Sequence, residues 1–162
     1  MEERLKRALW TVQRACSGRE LCREDVVSRL KRFDLTEKEL NDIITSLEKD
    51  NFLSHERFAR AFTRDKSSLS GWGPAKIAWA LRSKKIQEEI IKNALEEISG
   101  ESSTEKLKDI LSKKYKTLDK ETNKLKVKSK LVRFGISRGF DYNLVISQVN
   151  KLMANFVTQI NN

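Results

Sequence analysis

The stretch VVSRLKRFDLTEKELNDIITSL, residues 26–47, returns twice in altered form further along the chain. Shifted by 51 positions it falls on IAWALRSKKIQEEIIKNALEEI, residues 77–98, and shifted by 105 it falls on LVRFGISRGFDYNLVISQVNKL, residues 131–152. Val26 meets Ile77 and Leu131, Leu40 meets Ile91 and Val145, Ile44 meets Leu95 and Val149, and Leu47 meets Ile98 and Leu152. The spacing within each copy is that of amphipathic helices. Any two such helices align at some offset. Here one register holds across two helices and the loop between them, and an apolar residue (Leu35, Ile86, Phe140) sits inside that loop each time. The third copy breaks the pattern once, where Leu30 meets Gly135 and the apolar Phe134 is next to it. A repeat of three helices follows.

Working outward, the punctuation is helical throughout. Leu5, Ala8, Leu9, Val12 and Cys16 mark one face of a first helix. Thr36 with Glu39 forms a capping box, Ser54 caps the helix carrying Phe58, Ala59 and Phe62, and Pro74 suits a first helical turn. The polar run Ser99-Gly100-Glu101-Ser102-Ser103 reads as a break before the last group of helices. The fold class is all-α, built of tandem three-helix repeats at 1–50, 51–99 and 103–158. Units of this size bury a modest core each, so the expected shape is elongated and modular.

Composition agrees and excludes much chemistry. The 162 residues include six glycines and one proline, against 38% hydrophobic and 35% charged residues. No run approaches the ~20 apolar residues of a membrane span, and the charged start MEERLKRALW is unlike a signal peptide. A soluble, cytoplasmic, monomeric protein with no membrane partner is expected. Cys16, Cys22 and the single His55 match no metal or redox spacing, and their expected roles are packing or solvated ones. There is no phosphate-binding glycine loop and no nucleophile elbow. Adjacent carboxylates such as Glu88/Glu89 fit a solvated helix face. No enzyme, no cofactor and no metal site are expected.

Charge is the positive signal. The net charge of +10 is absent from residues 1–50, which balance 11 basic against 11 acidic side chains, and lies wholly beyond them. Arg57, Arg60 and Arg64 share one helix face, with Lys66, Lys76, Arg82 and Lys84 nearby in sequence. Trp72 and Trp79 stand among these cations. Lys120, Lys124, Lys126, Lys128 and Lys130 are spaced by two and cannot all share a helix face, which fits a solvated surface. Arginine favours bidentate carboxylate or phosphate contacts, so the partner class is a nucleic-acid backbone, an acidic protein surface, or an assembly offering both.

The segments FLSHERFARAFTRDK (52–66), GWGPAKI (71–77) and LRSKKI (81–86) resemble the central signature of the RecX recombination regulators. RFGISRGF (133–140) is similar to that family's last-repeat motif. Two positions depart: His55 stands where the family usually has an acidic residue, and Lys85 where it has glycine. The resemblance implies a curved array of three-helix units that binds the RecA recombinase in the groove of its filament on single-stranded DNA. It implies limited filament growth, reduced ATP hydrolysis and strand exchange, and no enzymatic activity. The binding residues expected on this reading are Arg57, Arg60, Arg64, Lys66, Trp72, Lys76, Arg82, Lys84, Arg133 and Arg138, facing RecA or, non-specifically, single-stranded or duplex DNA. The competing reading is a helix-turn-helix regulator acting directly on DNA. No helix concentrates base-reading Arg, Asn and Gln as such a reader does.

Overall fold

The computed structural model describes residues 2–160, with side chains through residue 155. Among the described residues there are nine α-helices and no strand. The helices are α1 Glu3–Gly18, α2 Arg23–Leu30, α3 Glu37–Lys49, α4 His55–Ser68, α5 Pro74–Ser83, α6 Glu88–Glu96, α7 Glu101–Lys116, α8 Lys124–Ser137 and α9 Tyr142–Ile160. A short 3-10 turn, Lys31–Phe33, closes α2.

The caps read from the sequence form. Thr36 Oγ1 accepts from the Glu39 N–H at 3.2 Å while a Glu39 carboxylate oxygen accepts from the Thr36 N–H at 2.8 Å. Ser54 Oγ accepts from the Arg57 N–H, and Pro74 opens α5. The expected polar break shrinks to Ser99-Gly100. Gly100 takes a φ of +73°, and Glu101, Ser102 and Ser103 enter the first turn of α7, where a carboxylate is favoured by the helix dipole.

The repeat register is visible in the backbone. The turn after the second helix of each repeat passes through a left-handed residue, at Asp34 (φ 48°), Lys85 (φ 59°) and Gly139 (φ 93°), again 51 and 105 positions apart. Two of these turns share one hydrogen-bond pattern. Lys85 N–H donates to Arg82 O and Ile86 N–H to Leu81 O; Gly139 N–H donates to Ile136 O and Phe140 N–H to Gly135 O. That pairing satisfies carbonyls the helix end would otherwise leave open. It also turns Ile86 and Phe140 inward, and both are buried. In these two repeats the loop hydrophobe seen in the sequence is therefore the closing residue of the helix cap.

The chain forms two compact units, Met1–Phe62 with Leu81–Ala94, and Thr63–Ala80 with Leu95–Asn162. These groupings of contact differ from the repeat edges read from the sequence; each takes part of 51–99. The core of the first unit gathers Ala8, Val12, Leu21, Val26, Leu30, Ile43, Ile44, Leu47 and Leu53. The core of the second gathers Leu107, Leu111, Val127, Leu131, Phe140, Val145 and Val149 from α7, α8, α9 and the turn between the last two. The mismatch at Gly135 has a steric reason. A Cβ there would lie 2.8 Å from a methyl of Val145, so the approach of α9 leaves no room for a side chain at this position.

Candidate partner interface

In the second unit, two glycine-bearing turns interlock. The Gly73 N–H donates to Arg138 O at 2.6 Å and the Ala75 N–H donates to Gly139 O at 3.0 Å. Helix N-terminal N–H groups need outside acceptors, and here the C-terminal turn of α8 supplies them to α5. The approach is close enough to exclude side chains. A Cβ on Gly73 would lie 2.6 Å from Gly139 O, and one on Gly139 would lie 2.5 Å from the Lys76 nitrogen. The two motifs that resembled family signatures, 71–77 and 133–140, are thus the two halves of one backbone joint.

Candidate binding residues stand around this joint. Trp72 is half-buried and clasped by two cations, with Lys66 Nζ 4.7 Å and Lys76 Nζ 4.5 Å from its ring centre. Each such contact is worth about 0.5–1 kcal/mol when exposed and fixes where the charge stands. Arg138 lies over the Phe134 ring at 5.0 Å, and Lys114 approaches the same ring at 5.4 Å. Beside them a hollow of about 360 Å³ is lined by Leu69, Lys106, Lys113, Lys114, Phe134 and Arg138, among others. Leu69 is 82% exposed there. Cations held on aromatic rings, with an exposed leucine next to them, suit an anionic partner that also buries apolar surface. Phe134, Leu69, Lys106 and Lys114 were absent from the sequence-based set. The spacing of Phe134 and Arg138, one helical turn apart, is the signal that could have included Phe134.

The remaining candidates do other things as well. The Arg57 guanidinium pairs with Glu20 at 2.9 Å and donates to Asn51 O at 2.7 Å, holding the start of α4 to the loop ahead of α2. Arg64 grips Glu97 through Nε at 3.0 Å and a second nitrogen at 3.4 Å. Arg60 lies exposed between these two on the α4 face. Arg82 is paired twice to Glu88, at 2.6 and 3.1 Å, and this contact holds the Glu88 carboxyl below its ordinary range. Arg133 is exposed and donates to Ser129 Oγ.

Lys84 is bound into the first unit. Its Nζ lies 3.0 Å from Asp25 and 5.7 Å from the Phe58 ring centre. Asp25 also accepts from the Cys22 N–H, capping α2. Burial pushes the Asp25 carboxyl up, but the bonds from Lys84 and Cys22 outweigh it and leave it below the usual range. His55 has a defined task too, because its Nε2 accepts the Arg23 N–H at 3.1 Å. A carboxylate in this position could accept the same bond. Cys16 and Cys22 are unpaired thiols whose pKa is raised, chiefly by burial.

Residues 54–95 match the model of the RecX second three-helix domain. A regulatory protein RecX from Clostridium perfringens (strain 13, type A) is 31% identical over 149 residues, spanning 83% of this chain and 69% of that protein. The chain belongs to the RecX family. A second RecX, from Clostridium beijerinckii, is 32% identical over 132 residues, where the alignment spans 81% of this chain and 61% of the relative. The crystal structure of RecX from Lactobacillus salivarius superposes with a TM-score of 0.81 over 95% of this chain and 99% of that one, at 19% identity. The all-helical RecX fold is therefore shared where little sequence is. Within the described residues, no helix is long and apolar enough to cross a membrane.

Proposed function

We propose that this chain is a non-enzymatic regulator that binds RecA and its filament on single-stranded DNA and lowers ATP hydrolysis and strand exchange. The observation that carries this reading is membership in the RecX family along more than four-fifths of the chain. The charge map supports it: all of the net +10 lies beyond residue 50, where the lysine-clasped Trp72 and the Phe134–Arg138 stack stand. RecA carboxylates or filament-bound phosphates are the matching anions. Within this reading, Lys66, Trp72, Lys76 and Arg138 are the contact residues, and Arg57 and Lys84 hold the fold beneath the surface. Arg60, Arg64, Arg82 and Arg133 extend the positive surface. A cytoplasmic location follows from such a partner.

The test is the ATPase rate of RecA on single-stranded DNA with and without a molar excess of this protein. Inhibition is expected, and equal rates would sink the proposal. The double variant Lys66→Gln/Lys76→Gln removes two half-buried charges and is expected to weaken inhibition several-fold with helicity retained and a melting temperature only modestly lowered, since two contacts of about 0.5–1 kcal/mol to Trp72 are lost. Sequence-selective duplex binding without RecA would favour the direct DNA-binding reading instead.

A further inference from the structure

Residues 1–50, neutral in total charge, place three arginines and two aromatic rings at one groove. A hollow of about 750 Å³ is bounded by Arg4, Arg7 and Trp10 of α1 and by Arg32 and Phe33 of the 3-10 turn, with the carboxylate of Glu3 on its rim. Its floor is fixed: Arg4 donates to Phe33 O at 3.1 Å and Asp34 O at 2.9 Å, and pairs with Glu39 at 2.8 Å. Each ring carries a guanidinium on its face, Arg14 over Trp10 at 5.3 Å and Arg32 over Phe33 at 5.1 Å. Trp10 is 60% exposed, and no carboxylate among the described residues pairs with Arg7, Arg14 or Arg32.

We infer that this groove binds single-stranded nucleic acid, with a base stacked at Trp10 and phosphates at Arg7 and Arg32. An acidic protein would also meet the arginines and cover the indole, and the polyglutamate competition below tests that occupant. A single strand needs both, because bases stack on aromatic rings whatever their sequence, while the backbone follows the cations. Net charge hides the site because acidic residues of this segment are engaged away from Arg7 and Arg32: Asp25 caps α2, Glu20 meets Arg57, and Glu39 is taken up by the α3 cap and by Arg4. The inference stands apart from the RecA reading, since it concerns residues of the first unit and a ligand taken without RecA.

The experiment is fluorescence anisotropy of a labelled oligothymidylate titrated with the full chain, RecA absent, across a salt series. Arg7→Gln/Arg32→Gln is expected to weaken binding about tenfold or more and to reduce the slope of log K against log salt by about 1.4, two phosphate contacts at ~0.7 each. Trp10→Ala is expected to lose about fivefold or more with the salt slope unchanged. Wild-type affinity in both variants overturns the assignment. So does displacement of the oligonucleotide by polyglutamate at matched charge concentration, or equal affinity for a blunt duplex of the same length. Circular dichroism confirms that these surface variants remain folded. Because RecA plays no part in the titration, failure here leaves the ATPase result untouched, and the converse holds.

Discussion

Replacing Gly139 by alanine tests whether the joint between the turns at 71–75 and 138–140 holds the second unit together. The residue has a φ of +93°, which costs an L-residue about 1–2 kcal/mol. Alanine recovers about 0.4–1 kcal/mol by stiffening the unfolded chain. The decisive part is contact. The added Cβ would lie 2.5 Å from the Lys76 nitrogen and 3.0 Å from its Cα, and backbone atoms cannot rotate aside as a side chain would. The first turn of α5 must retreat, and the hydrogen bonds of 2.6 Å from Gly73 and 3.0 Å from Ala75 lengthen or break. At about 0.5–1.5 kcal/mol each, they bring the expected loss to about 3 kcal/mol. For a chain of this length that is a fall in melting temperature of roughly 6–12 °C. Urea unfolding followed by far-ultraviolet circular dichroism reads the loss, and hydrogen exchange at the Gly73 amide reads the joint itself. Gly18→Ala is the control, because a Cβ there meets nothing within 4 Å. Stability within about 0.5 kcal/mol of wild type, with the Gly73 amide still protected, would refute the reasoning.

Three further outcomes are expected. Lys85→Gly relieves a left-handed lysine (φ 59°) and gives up an exposed ion pair to Glu24 at 3.6 Å, so thermal melting should show a net gain of about 0.5–1 kcal/mol. Asp25 is held below its unfolded pKa, so its contribution is present above that value and is lost as pH falls through the lower folded one. Asp25→Asn should therefore lower stability at neutral pH and flatten part of the acid limb below about pH 4, read by urea midpoints across pH. His55→Ala should cost about 0.5–1 kcal/mol by exchanging the bond from the exposed Arg23 N–H for one to water, and His55→Glu should restore most of it, both measured by chemical unfolding.

What could be read from the chain was what short range determines. Thr36 with Glu39, Ser54 and Pro74 each act within one helical turn, and each forms as expected. The repeat offset was equally legible, because buried positions recur with the backbone turns that place them. Long-range pairing was not. Nothing local to Gly73 names Gly139 as its neighbour, and nothing local to Lys84 names Asp25, 59 residues away. Gly135 looked like a flaw in the repeat because its reason, Val145, lies on another helix. Charge was misread in both directions. A neutral total concealed the arginines around Trp10, and a good arginine face on α4 gave no hint that Arg57 and Arg64 hold carboxylates of their own chain.

That last point changes how binding on α4 must be measured. Arg57, Arg60 and Arg64 share a face, so reversing all three is the obvious test, and it is the wrong one. Glutamate at 57 would confront Glu20, whose second carboxylate oxygen is buried with no hydrogen-bond partner. Two carboxylates would then face each other where an ion pair stood, and the Asn51 carbonyl would lose its donor, a loss of order 1–3 kcal/mol before any partner is added. Glutamate at 64 would likewise face Glu97, though in a more exposed place. Lost inhibition by the triple variant could therefore report unfolding alone. Arg60→Glu changes the same face at an exposed position. If this face of α4 touches RecA, this single change should weaken inhibition of the ATPase several-fold, more than its own shift in melting temperature accounts for, and Arg57→Glu should lower the melting temperature whether or not RecA is present. Full inhibition by Arg60→Glu would remove the arginine face of α4 from the interface and leave the Trp72 cluster, with Lys66 at the end of α4, and the Phe134 cluster to carry it.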